Sequence, residues 1–314
     1  MIYIILREDV TGRCSAPFRI QNCQELKMPV VEYSAAASVE EAVSLLSNSD
    51  IPAKVLAGGT DLIIQSAGLS PIKVVDIKNI ESMMGATIGS DGLTLGPSMP
   101  CAELYARDDV KAMFPGLVEA AYLIGSTQVQ GRCSIGGNLC NSSPAADTIP
   151  ALIANAAQCV IQGSGGERTV AVEDFVTGVG RNCMEQGELL TALRLATPAA
   201  GTSDAYLRFI PRTEMDIAVA GAGVSVTLDG DGTCTAARVS IGAVAPTALL
   251  VPEAADALIG SKLDDAAMDK AAAASSAASS PITDRRGTVE FRKHVVGVLT
   301  KRAATIAAQR ARGE

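Results

Sequence analysis

The sequence has no tryptophan and only 3% aromatic residues. Its core must therefore be built from Ala, Val, Leu and Ile, and aromatic stacking is a weak route to ligand capture. There is one histidine, His294. A lone imidazole excludes His-rich metal sites and a Ser–His pair in the glycine-rich segments. Eight cysteines are present, Cys14, Cys23, Cys101, Cys133, Cys140, Cys159, Cys183 and Cys234, yet no two are spaced as CxxC. That spacing fits neither a zinc site nor a compact iron–sulfur site, so most are expected to be small, buried, reduced residues. No apolar run reaches the ~20 residues of a membrane span. The opening MIYIIL is followed at once by Arg7, Glu8 and Asp9, the wrong order for a signal peptide, so a cytoplasmic protein is expected. Acidic residues outnumber basic ones, 34 to 26, for a net charge of −8. This argues against nucleic acid as the main partner. Neither G-x-G-x-x-G nor G-x-x-x-x-G-K-[ST] occurs. Gly221-Ala222-Gly223 precedes a strand pattern and lacks the third glycine. A Rossmann domain and a P-loop are both disfavoured.

What is present fills 314 residues at 48% hydrophobic, enough for two domains with ordinary cores. A helix is expected from Ser38, with Glu41 completing a capping box. Residues 54–57, 74–77 and 93–95 read as short buried strands. The stretch 101–125 reads as helical, broken at Pro115. Residues 141–146 read as a loop before a helix over 147–157. Residues 158–162 and 168–172 flank a glycine-rich turn and read as a hairpin. Residues 188–195 form a further strand. A boundary is expected in the Pro-, Ala- and Gly-containing stretch 198–204. Strands over 205–210, 223–228 and 236–243 follow, the last two joined by Asp229-Gly230-Asp231-Gly232. Residues 252–280 and 288–312 read as helices, and the low-complexity stretch 271–280 as a solvated helix and linker. With no steady βαβ alternation, the class is α+β.

Two segments are candidates for chemistry. In residues 55–62, Val-Leu-Ala-Gly-Gly-Thr-Asp-Leu, a strand runs into Gly58 and Gly59. Backbone N–H groups there can approach a phosphate closely, and φ > 0 is open to both glycines. Thr60 can add a hydroxyl, while Asp61 is suited to hold backbone N–H groups and fix the loop. An ordinary strand followed by a glycine turn would read the same way. Residues 134–147, Ser-Ile-Gly-Gly-Asn-Leu-Cys-Asn-Ser-Ser-Pro-Ala-Ala-Asp, offer many hydroxyl and amide groups. Those suit a pyrophosphate and a polyol chain. A polar loop capping the next helix is the plainer reading, and Asp147 serves as the helix N-cap under either.

Together these segments resemble the FAD-binding medium subunit of the molybdenum hydroxylases, the family of xanthine dehydrogenase and aerobic carbon-monoxide dehydrogenase. AGGTDL at 57–62 resembles the family's first flavin loop, and SIGGNLCNSSPAAD at 134–147 its second. GELLTALRL at 187–195, AYLRFIPRTEMDIAVAGAGVSV at 205–226 and DRRGTVEFRKHVVGVLTKRA at 284–303 are similar as well. The resemblance implies a PCMH-type FAD-binding domain at 28–200, of two α+β subdomains (28–84 and 85–200), then a C-terminal α+β flavoprotein domain at 204–312. It implies non-covalent FAD and two partners, a large molybdopterin subunit and a small [2Fe–2S] subunit, assembled as a dimer of heterotrimers. Electrons would pass from the [2Fe–2S] clusters to FAD and on to NAD+, a quinone or oxygen.

By position, the implied cofactor contacts are Leu56, Ala57, Gly58, Gly59, Thr60, Asp61 and Leu62, then Ser134, Ile135, Gly136, Gly137 and Asn138. Cys140 is expected to pack on the flavin ring, and Ser142 and Asp147 to fix the second segment or its flavin contacts. Leu189 and Leu190 fall near an adenine or ring contact. Arg208 falls near a basic position close to the cofactor, with a surface or interface ion pair as its equal alternative. No catalytic or metal-ligating residue is expected. Residues 1–27 match nothing in the family pattern and are expected to be an extension or a misassigned start. No inserted loop for an extra [4Fe–4S] cluster is evident. AGGTDL differs from the AGGHSL associated with carbon-monoxide dehydrogenases, which makes CO the less expected substrate. Three other readings compete. One is a stand-alone reductase of the UDP-N-acetylenolpyruvoylglucosamine reductase type, and a second is an oxidase with flavin linked through His294. The third is a scaffold subunit without cofactor.

Overall fold

The computed structural model describes residues 31–66 and 71–314. The expected extension at 1–27 lies outside them. The described chain forms three main sheets, each with its own core, and one two-stranded ribbon.

The first sheet is parallel. Strands β1 (Val31–Ala35), β2 (Ala53–Leu56) and β3 (Ile72–Asp76) lie in the order β1-β3-β2, with helix α1 (Val39–Ser47) crossing between β1 and β2. Helix α2 (Leu62–Gln65) follows β2. Ser38 caps α1 as expected, its Oγ accepting from the Glu41 N–H at 3.1 Å. The Glu41 carboxylate reaches the Ala37 N–H at 2.8 Å, one residue before the usual capping-box partner. Ala42, Val43 and Leu46 of α1 close a small core over β3.

The second sheet is antiparallel. Its strands are β4 (Ala86–Gly89), β5 (Gly92–Leu95), β6 (Gln158–Gly163), β7 (Gly166–Ala171) and β10 (Leu189–Ala196), in the order β4-β5-β10-β6-β7. The ribbon is β8 (Val176–Gly178) with β9 (Arg181–Asn182). Seven short helices fill the long connections: α3 (Cys101–Tyr105), α4 (Asp108–Met113), α5 (Pro115–Tyr122), α6 (Thr127–Gln130), α7 (Ile135–Asn141), α8 (Thr148–Ala154) and α9 (Val172–Phe175). Pro115 starts α5 at the position where its missing N–H costs nothing.

The third sheet, β11 (Thr202–Phe209), β12 (Ala220–Leu228), β13 (Cys234–Gly242) and β14 (Leu249–Leu250), is antiparallel and in sequence order. Helices α10 (Pro252–Leu258), α11 (Asp265–Ala278) and α12 (Val289–Arg312) complete the chain. The single helix expected over 252–280 is two helices. Gly260 at φ +80° and Leu263 at φ +55° turn the chain, and Asp264 starts α11 by accepting from the Ala267 N–H at 2.9 Å. The stretch 271–280 is not solvated on all sides. Ala271 and Ser275 are fully buried, and Ser276 Oγ donates to the Lys293 carbonyl of α12 at 2.7 Å.

Strand alternation explains how the third sheet joins the rest. In β11, Ala205 and Leu207 face the C-terminal core, as do Ala220, Ala222, Val224 and Val226 of β12. Asp204, Tyr206 and Arg208 therefore face the other way, towards α5 and α8, with Gly221 and Gly223 of β12 beside them. The sheet thus lies between its own helix α12 and helix α8 of the second module. Close approach to α8 needs glycine at 223, and glycine at 221 leaves room for the Tyr206 ring. A Cβ at 223 would lie 2.6 Å from the Pro150 carbonyl oxygen, and one at 221 would lie 2.7 Å from the Tyr206 hydroxyl. Among the described residues no helix is long and apolar enough to cross a membrane.

Candidate functional site

The first glycine segment leaves β2 and enters α2. Gly58 lies on the backbone of residues 132–133, where a Cβ would fall 1.8 Å from the Arg132 carbonyl oxygen. Gly59 adopts φ +76°. Among the described residues, the backbone N–H groups of Gly58, Gly59 and Thr60 and the Thr60 hydroxyl make no hydrogen bond. Three consecutive half-exposed residues thus present donors of the kind that phosphate oxygens accept from. Among the described residues, Asp61 takes no backbone N–H group, in contrast to the loop-fixing role the sequence suggested. It stands at the N-cap of α2 with no side-chain cap bond, because the Gly59 carbonyl already takes the Ile63 N–H at 3.1 Å. Leu62 opens α2 and is half buried.

The second segment is not the loop expected. Residues 135–141 are helix α7, capped by Ser134, whose Oγ accepts from the Gly137 N–H at 3.1 Å. Poor helix formers hid it, since Gly, Asn and Ser all rank low. The i, i+4 pair Ile135 and Leu139 was the available signal; they are 2% and 0% exposed. Gly136 packs on Pro97, where a Cβ would meet the Pro97 carbonyl oxygen at 2.5 Å. Asn138 faces the start of α8, its Oδ1 accepting from the Thr148 hydroxyl at 2.6 Å and from the Thr148 N–H at 3.3 Å. Asn138, and not Asp147, therefore caps α8. Asp147 holds the N-cap position, but its carboxylate turns inward.

Ser142 ends α7 in the left-handed region at φ +51° and is fully buried. Its carbonyl accepts from the Gly180 N–H at 3.0 Å, and the Cys140 carbonyl from Asn182 Nδ2 at 3.1 Å. The β8–β9 ribbon thus holds the end of α7, which sequence reasoning missed. Burial, with Cys183 nearby, pushes the Cys140 thiol up to about 12, so it stays protonated at neutral pH.

The two segments meet. Asn141 Nδ2 donates to Asp61 Oδ2 at 3.3 Å, and Gln65 Nε2 donates to Asn141 Oδ1 at 3.0 Å. The first and second modules are therefore joined at the two places where the sequence placed ligand-binding loops. Neither Asn141 nor Gln65 was singled out beforehand.

Three further expected residues lie deeper. Leu189 and Leu190 are 2% and 3% exposed, one in the first core and one in the second. They seal the seam between the modules and leave little side-chain surface for a ligand. Arg208 is buried, its Nη1 donating to Asp147 Oδ2 at 2.7 Å. The expected ion pair is thus internal to the chain, not on its surface. The Tyr206 hydroxyl donates to the other carboxylate oxygen at 3.0 Å. Burial pushes Asp147 up to about 6 against the opposing pull of Arg208 and Tyr206. Burial, and then Asp147, push the Tyr206 phenol well above its usual range.

The donor set fits FAD. It offers unpartnered backbone donors at Gly58–Thr60 on one module and a capped helix on the other, linked across the seam. The comparisons agree. Residues 27–198 match the FAD binding domain in molybdopterin dehydrogenase, and residues 205–307 the CO dehydrogenase flavoprotein C-terminal domain. The chain belongs to the FAD-binding medium subunits of the molybdenum hydroxylase family, which are components of oxidoreductases. It is 34% identical to the carbon monoxide dehydrogenase medium chain of Afipia carboxidovorans, over 90% of this chain and 98% of that one. It is 28% identical to the xanthine dehydrogenase FAD-binding subunit of Escherichia coli, over 90% and 97%. The fold superposes on reconstituted CO dehydrogenase from Oligotropha carboxidovorans with a TM-score of 0.85 at 33% identity, covering 90% of this chain and 99% of that one.

Proposed function

We propose that this chain carries electrons through FAD held non-covalently at the seam of its first two modules, within residues 28–200. The observation that carries the reading is the segment Gly58–Asp61, whose Gly58–Thr60 N–H groups have no partner among the described residues, meeting α7 where Asn141 donates to Asp61. Ala57, Gly58, Gly59 and Thr60 bind the pyrophosphate through backbone N–H groups and the Thr60 hydroxyl, while Leu56, Asp61 and Leu62 shape that loop. Ser134–Asn138 form the facing wall. Cys140 packs against the ring as a neutral thiol, and Ser142 holds the end of the wall. When bound, FAD supplies a two-electron store that can be filled one electron at a time.

In this reading a small [2Fe–2S] subunit delivers the electrons and a large molybdopterin subunit oxidises the substrate. The complex, a dimer of heterotrimers in the cytoplasm, passes electrons on to NAD+, a quinone or oxygen. The substrate is chosen outside this chain, which is consistent with relatives named for substrates as different as carbon monoxide, xanthine and nicotinate. The test is the visible spectrum of the purified chain before and after acid precipitation. The expected result is near-stoichiometric FAD in the supernatant. A chain that holds no flavin, takes up none, and gains no thermal stability from it would overturn the reading.

A further inference from the structure

One face of β11 carries three residues, Asp204, Tyr206 and Arg208, that bond to the second module. Asp204 accepts from the Gly116 N–H of α5 at 3.1 Å and from Asn155 Nδ2, at the end of α8, at 2.6 Å. Tyr206 and Arg208 hold Asp147, at the start of α8, at 3.0 and 2.7 Å. A third tie lies close by, where the Ala243 N–H, just after β13, donates to the Pro144 carbonyl at 2.8 Å. Pro144 and Asp147 both belong to the segment that leaves the end of α7. Every inter-module bond to that segment named here comes from the C-terminal sheet.

We propose that Arg208 and Tyr206 are positioning residues for the cofactor. They act through Asp147 and hold residues 142–147, and with them α7, in the geometry that receives FAD. The C-terminal module then sets FAD affinity without supplying a ligand atom. The inference rests on the reading that α7 forms one wall of the FAD site. Its geometric basis is that the Arg208 Nη1 is committed to Asp147, while the buried Arg208 Nε has no partner among the described residues. A guanidinium held this way is fixed by packing and by one carboxylate.

The experiment uses the full-length chain, stripped of flavin and titrated with FAD, with thermal unfolding measured on the same samples. Arg238 supplies the control. It also joins the third sheet to the second module, donating to the Ile153 carbonyl at 2.9 Å and to Glu173 at 2.8 Å, but at the far end of α8. Arg208→Met is expected to weaken FAD about tenfold or more, within the usual range of coupling between linked sites. Arg208→Lys should recover most of that affinity, and Tyr206→Phe should show a smaller loss. Arg238→Met should leave FAD affinity near wild type even where it lowers the unfolding midpoint as far. Should Arg208→Met fail to fold, the Tyr206→Phe and Arg208→Lys pair still decides. Unchanged affinity in the Arg208 and Tyr206 variants overturns the inference. So does a loss that simply tracks stability across the Arg208 and Arg238 variants. A wild-type chain that takes up no FAD overturns the proposed function itself, a separate and recognisable failure.

Discussion

Asp204 has an exposure of 2% and two hydrogen-bond donors, yet among the described residues no cation touches its carboxylate. Burial pushes it up to about 6, against the pull of Asn155 and Gly116 and with a push from Glu119. The sign of the consequence follows from which state holds the proton. Between the ordinary carboxylate value of 3.8 and about 6, the folded chain keeps the proton and the unfolded chain loses it. Stability from this group is therefore greatest at acid pH and declines as pH rises through that window. Asp147 shifts in the same direction. Chemical denaturation of wild type and Asp204→Asn, from pH 4 to 7, should show a stability difference that drifts in the variant's favour as pH rises. A pH-independent difference would mean that Asp204 is ionised throughout. In the sequence Asp204 was merely the last residue of an expected linker. Its sign of burial was the alternation Asp204, Tyr206, Arg208 within a strand whose other face is apolar.

At the scale of elements, legibility followed propensity. The hairpin expected around residues 163–166 appears as β6 and β7, and the turn at residues 229–232 joins β12 to β13. Glycine and aspartate turn chemistry fixes such features locally, so they can be read without the fold. Strands β1 and β4 and the β8–β9 ribbon were not read at all. Their burial patterns are mostly exposed or intermediate, so no apolar run marked them. Helix α7 was missed for the opposite reason, as Gly136, Gly137 and Asn138 mask its period. Both glycine segments were singled out as candidate sites, but the bond that joins them was not foreseen, because Asn141 is one polar residue among several. That bond carries a prediction. Asn141→Ala removes the contacts to Asp61 and Gln65, both on the exposed side of the seam. FAD affinity should fall roughly two- to tenfold, the worth of about one net hydrogen bond, with little change in unfolding midpoint. Equal affinity in a direct titration would show that the two segments hold their places without this link.

At the scale of the whole molecule, three cores could open separately, and what binds them is backbone proximity. β12 comes down on α8 at Gly223, and β13 at Gly242, where a Cβ would lie 2.7 Å from the Pro150 ring. No sequence pattern announced this. Gly221-Ala222-Gly223 had been weighed as a failed nucleotide motif and as part of the family-like stretch 205–226, but not as the place where Gly223 lets the sheet approach a helix. The contact at 223 is with a carbonyl oxygen of α8 that cannot rotate away, so Gly223→Ala must separate the sheet from the helix or distort one of them. Overpacking of this kind costs about 1–3 kcal/mol. The ties from β11 to Asp147 and Asn155 span the same interface, so they stretch with it. Calorimetry of the flavin-free chain is expected to show one cooperative transition in wild type. Gly223→Ala should lower its midpoint and split off a component for the C-terminal module, whose core of Val224, Ile241, Val296 and Leu299 is complete without the others. An alanine variant that still melts in one transition at the wild-type midpoint would mean that the sheet can lift from α8 at no cost. The C-terminal module would then have no mechanical hold on the segment that follows α7.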